Sequence, residues 1–119
     1  MRGFRQLQVW QKAHCLTIAV YQASRGFPND ERYGLTSQIR RSAGSICANL
    51  AEGCGRSGKR DFGRFVQMAL GSASELEYHL LLASNLGLLE REAYDRLDQS
   101  VTEVKRMLTG LLRRLMADG

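Results

Sequence analysis

The stretch "AEGCGRSGKRDFGRF", residues 51–65, contains Gly53-x-x-x-x-Gly58-Lys59, the spacing with which a P-loop cradles nucleotide phosphates. The motif lacks its last member: Arg60 stands where a Ser or Thr hydroxyl would hold Mg²⁺. A working P-loop also follows a β-strand, so that the turn presents backbone N–H groups to phosphate. Here the preceding "SAGSICANLAEG" is helical in period and rich in alanine, and no later apolar run ending in Asp offers a second metal ligand. The pattern therefore reads as a turn between helices, not an ATPase site. What remains is electrostatic. Arg56, Lys59, Arg60 and Arg64 fall within nine residues at the start of a helix, whose N-terminus is itself positive. That combination suits a phosphate backbone, with Glu52 and Asp61 offsetting part of the charge and Glu52 spaced i,i+4 for Arg56. The one aromatic residue within the cluster, Phe62, belongs to the inner stripe of its helix, so no ring is left to stack bases and no sequence readout is expected.

Other polar residues offer less. Glu75 and His79 are one helical turn apart, but a carboxylate-bridged di-metal bundle needs two Glu-x-x-His pairs and further Glu residues. His14 and His79 lie in no recognisable nucleophile context. Cys15, Cys47 and Cys54 form no CxxC and leave one thiol unpaired in any case, which favours reduced thiols. No catalytic residue, metal or cofactor is expected, and we read the chain as non-enzymatic. Glu75 has a better use in an ion pair with Arg40 or Arg41, within one chain or between two.

At 119 residues, 44% apolar and 24% charged, the chain fits one ordinary folded domain, residues 1–119. The net charge of +5 is uneven: residues 1–35 carry +3, residues 36–66 carry +4 and residues 67–119 carry −2. A localised basic excess points to an anionic partner. No apolar run approaches the ~20 residues of a membrane span. The basic and apolar beginning is interrupted by Gln8, Gln11, Lys12 and His14, so no signal peptide is read and a cytoplasmic location is expected.

Four amphipathic helices must position the basic turn. The first, about 7–25, carries Val9, Ala13, Leu16, Val20 and Ala23 on one stripe and breaks at Gly26 and Pro28. The second, about 35–53, carries Leu35, Ile39, Ala43, Ile46 and Leu50. The third, about 58–86, starts after Ser57 as N-cap, with Gly53 and Gly55 opening the turn before it. It buries Phe62, Phe65, Ala69, Ala73, Leu76, Leu80 and Ala83, and stops at Gly87. The fourth, about 90–116, keeps strict three-four spacing through Tyr94, Leu97, Val101, Val104, Leu108, Leu111 and Leu115. Nothing alternates with period two. The expected fold is all-α, an antiparallel up-down-up-down four-helix bundle.

Two outer faces look unsuited to a lone bundle. On the second helix Arg41, Ser45, Ala48 and Glu52 lie opposite the inner stripe, a largely small surface. On the third, Gly71, Glu75, Tyr78 and Leu82 do, flanked by Met68 and Leu81. "YHLLLASNLGLL" is apolar nearly all round. These residues are candidates for an interface between copies.

The elements "VWQKA" (9–13), "FPNDERYGL" (27–35), "QIRRSAGSICANLAEGCGR" (38–56), "RDFGRFVQMALGSASELE" (60–77) and "LGLL" (86–89) together resemble the four-helix bundle proteins encoded in intervening sequences of bacterial 23S rRNA genes. Cys47 and Cys54 depart from the small or variable residues expected there. The resemblance implies a cytosolic bacterial protein, a ring-like homopentamer and no established enzymatic activity. The chain is also similar in fold to the accessory protein of diversity-generating retroelements, a basic pentameric bundle that associates with a reverse transcriptase and nucleic acid.

The expectation is thus a homo-oligomeric scaffold that binds RNA or DNA backbone through Arg56, Lys59, Arg60 and Arg64, with Arg40 and Arg41 assisting. The alternative is a protein-interaction module whose partner, a polymerase or other protein, engages the same basic surface.

Overall fold

The computed structural model describes residues 3–117. Four helices follow a short 3₁₀ turn at Phe4–Gln6: α1 (Gln8–Ser24), α2 (Leu35–Cys54), α3 (Lys59–Asn85) and α4 (Arg91–Ala117). A second 3₁₀ turn, Asn29–Glu31, lies in the connection from α1 to α2. Each helix packs on its chain neighbour and α1 also meets α4, which closes an up-down four-helix bundle 45 × 22 × 20 Å in extent.

The apolar stripes explain the packing. Val9, Ala13, Leu16 and Val20 of α1 are buried in one core with Leu35, Ile39, Ala43, Ile46 and Leu50 of α2 and Phe62, Val66, Ala69, Ala73, Leu76, Leu80 and Ala83 of α3, while Phe65, expected among them, is buried outside that core. On α4, Leu97, Val101, Val104 and Leu108 are buried, while Leu111, Leu112 and Leu115 are only half-buried. Length is the reason. α1 has 17 residues and α4 has 27. Lys12 meets Glu103 at 2.9 Å, so the start of α1 stands near the level of Met107 and nothing of α1 covers the last turns of α4.

The hairpin of α2 and α3 is the tightest pair, and small residues make it so. Ser45 Oγ and Ser72 Oγ lie 2.9 Å apart across it. Gly53 is buried, and a Cβ there would meet Phe65 Cβ at 2.8 Å and Phe62 Cδ1 at 2.9 Å. Its role is close approach between helices, since it remains inside α2 and does not open the turn. Gly53→Val should therefore cost about 3 kcal/mol through overpacking, seen as a lower urea midpoint. A variant as stable as the parent would show that the helices have room to spare.

α3 ends where expected. Gly87 has φ 76°, its N–H donates to the Ser84 carbonyl at 3.0 Å, and the Leu88 N–H donates to the Ala83 carbonyl at 2.9 Å. That pair of bonds is a Schellman stop. The start of α3 corrects the sequence reading. The residue at the N-cap is Gly58, with φ 87°, and no side chain caps the first turn; Ser57 lies outside it.

Candidate nucleic-acid interface

The sequence places four cations near the turn from α2 to α3, and the fold fixes two of them on one aromatic ring. α2 runs unbroken to Cys54, so Gly55–Gly58 joins two helices and no strand leads into the glycine-rich segment. Arg56 Nη2 donates to Glu52 Oε2 at 2.8 Å, the i,i+4 pair its spacing predicted. Arg64 donates through Nε and Nη2 to Asp61 Oδ1, at 3.1 and 2.9 Å. Both guanidinium groups also lie over Phe65, 5.0 Å (Arg56) and 4.8 Å (Arg64) from its centroid. Phe65 is buried beneath them, so it orients arginines and offers no face to a base.

Arg60 is exposed and makes no ion pair among the described residues. Lys59 is exposed beside it at the first position of α3. With four cations and two carboxylates the turn carries a formal +2. It sits at a helix N-terminus whose first N–H groups have no side-chain cap. Backbone donors and cations thus converge on one end of the bundle, an arrangement that suits phosphate oxygens.

Arg40 and Arg41 are elsewhere. At 1.5 Å per residue, Arg41 lies about 22 Å along the helix axis from Arg56. Arg40 is half-buried and points to α1: Nε donates to Ser24 Oγ at 2.8 Å and Nη2 to the Tyr21 carbonyl at 3.3 Å, with the guanidinium 4.8 Å from the Tyr21 ring centroid. Arg41 is exposed and donates to Gln38 Oε1 at 2.9 Å. The six basic candidates therefore divide between two ends of the bundle. The bend between α1 and α2 is basic as well. Arg25 and Arg32 line one groove with Arg40 and Arg41, a convergence that linear spacing hides because three separate segments supply it.

The expected pairing of Glu75 with Arg40 or Arg41 does not occur within the chain. The Ser45–Ser72 contact puts Glu75 level with Ser42, so the height is right. The directions are wrong: Arg40 turns to α1, Arg41 stays on the solvent side of α2, and Glu75 is exposed on α3 without an ion pair among the described residues.

The residues proposed to meet another copy fall into two groups. Arg41, Ala48, Glu52, Gly71, Glu75 and Tyr78 are exposed. Ser45 is occupied by Ser72, and Leu82 is half-buried against the core. Met68, Tyr78 and Leu81 are large apolar groups on the outside of α3, exposed by 46%, 58% and 43%. All three cysteines are free thiols. Burial pushes the Cys47 thiol up, against the lowering effect of its Thr17 contact at 3.6 Å, and pushes Cys54 up too. Among the described residues no helix is long and apolar enough to cross a membrane.

Comparison with known proteins follows the same outline. Residues 5–110 match the family described as "23S rRNA-intervening sequence protein". A similar solved structure is the 1.70 Å crystal structure of a protein of unknown function from the S23 ribosomal protein family of Bacteroides thetaiotaomicron. It superposes with a TM-score of 0.79 at 26% identity, covering 87% of this chain and 97% of that one. No curated protein matches the chain.

Proposed function

Because the chain belongs to the 23S rRNA-intervening sequence protein family, which has no known catalytic activity, we propose that it is a non-enzymatic scaffold that assembles with copies of itself and holds RNA by its backbone. The observation that carries this reading is the turn from α2 to α3. Arg56, Lys59, Arg60 and Arg64 meet there at an uncapped helix N-terminus, and Phe65 fixes two of the guanidinium groups. Fixed cations lose less side-chain freedom when a phosphate arrives. Phosphate contacts of this kind position a strand without reading its sequence.

Self-association is supported by the outer face of α3, where Met68, Tyr78 and Leu81 remain exposed. We take the assembly to be a five-membered ring in the cytoplasm, as the family resemblance implies. Glu75 lies on the same face, and an arginine of a neighbouring copy would complete the ion pair that its own chain does not make. A ring repeats the basic turn once per copy, which raises affinity for a strand long enough to touch several.

The test is whether purified protein binds a short RNA and releases it on nuclease treatment or at high salt. A cellular complex that survives both treatments would instead identify a protein, such as a polymerase, as the partner.

A further inference from the structure

The groove where α1 bends into α2 has a volume of about 630 Å³, within the range that takes a small-molecule ligand. Arg25, Arg32, Arg40 and Arg41 line it together with Tyr21 and Tyr33, and no acidic side chain does. None of the four arginines forms an ion pair among the described residues. Buried or half-buried charges ordinarily find a counter-charge. Arg40 has none: two of its N–H groups are held by Ser24 and the Tyr21 carbonyl, its plane rests on Tyr21, and three N–H donors remain. It is a guanidinium fixed in place with donors to spare.

The remaining wall fits the same kind of ligand. Thr36 and Ser37, in the first turn of α2, line the groove, and their backbone N–H groups have no acceptor among the described residues. The nearby carboxylate of Glu31 is turned onto the Leu35 N–H at 3.1 Å, outside the lining. Tyr33 is 90% exposed at the rim, with its ring stacked on nothing.

We propose that this groove is a nucleotide-binding site for single-stranded RNA, in which the arginines and the first turn of α2 take phosphate oxygens and Tyr33 stacks on a base. Planar arginine forks suit phosphate, and an exposed tyrosine stacks on any base without reading sequence. The inference rests on the RNA-binding reading above but uses a different end of the bundle. Along α2 the nearest groove arginine, Arg41, stands about 22 Å from Arg56 of the basic turn. Base stacking requires an unpaired strand, so the groove supplies a preference for single strands that the turn lacks.

The experiment measures binding of the full chain to a short fluorescein-labelled oligouridylate and to a duplex RNA of equal length. Tyr33→Ala should weaken oligouridylate binding roughly tenfold, leave duplex binding unchanged, and be rescued by Tyr33→Phe. Arg25→Gln with Arg32→Gln should weaken it by a similar factor. All these side chains are exposed, so circular dichroism and melting should match the parent. Groove variants that bind oligouridylate like the parent would overturn the site, while a loss on neutralising Arg56, Lys59 and Arg60 would still uphold the turn. Loss in the groove variants with none in the turn variant would uphold the groove and remove the turn from the proposed function. A Tyr33→Ala variant that loses single strand and duplex equally would contradict stacking.

Discussion

Replacing Arg56, Lys59 and Arg60 together by alanine should weaken RNA binding about thirtyfold at low salt, a loss of roughly 2 kcal/mol. The three side chains are exposed, so the fold should persist. Two effects combine. Three cations no longer meet phosphate, and Glu52, which Arg56 now holds at 2.8 Å, is left as an unpaired negative charge beside the strand. The surface pair itself adds little stability, so its removal should hardly move the melting temperature. Titrating each protein into labelled RNA at fixed ionic strength makes the comparison. Equal affinities would exclude the turn as the contact surface.

Putting charges on α3 should disassemble the protein. Tyr78→Lys with Leu81→Glu is expected to shift the species seen by light scattering to the 13.4 kDa of a single chain. Burying a large apolar side chain is worth about 1.5–3 kcal/mol, and burying a charge in its place carries a further penalty, so a pair of such changes at every contact should cost a hundredfold or more in association. Both residues are exposed in the single chain, so its core is untouched. Helical circular dichroism should survive. A parent protein that already scatters as a monomer, or a variant that assembles as the parent does, would remove this face from the account. If assembly multiplies the basic turns along one strand, the same variant should also bind long RNA more weakly while binding very short RNA as before.

The bundle was legible because each helix repeats its apolar stripe with few interruptions. Leu35, Ile39, Ala43, Ile46 and Leu50 could be read as one buried face from spacing alone, and all five are buried. The failures are local. Ser57 has the chemistry of an N-cap, yet the chain needs a left-handed residue to swing from α2 into α3, and Gly58 takes the position with φ 87°. Gly53 looks like a turn residue in sequence and proves to be a contact point for Phe62 and Phe65. Spacing gave the correct Glu52–Arg56 pair because both residues share one helix. It missed the role of Phe65 because the ring under Arg56 belongs to the next helix.

Arg40 and Arg41 show the same limit at larger scale. As neighbours in sequence they were grouped with the turn, but residues 100° apart on a helix serve different surroundings. Arg40 reaches Ser24 and Tyr21 on α1, whereas Arg41 stays on the outer side of α2. The signal for their groove was present as basic residues recurring at 25, 32 and 40–41, with tyrosines at 21 and 33. Only the return of α2 along α1 brings those segments to one place. Glu75 failed for the complementary reason: its height along α3 was right, and its direction was not.

Backbone recognition has one signature that other modes of binding lack, the release of counterions from the strand. Affinity for a short single-stranded RNA, measured from low to moderate salt, tests it directly. With three or four phosphates neutralised, log K should fall against log salt with a slope of about −2 to −3. An affinity that stays flat across that range, or no measurable binding at low salt, would contradict the account.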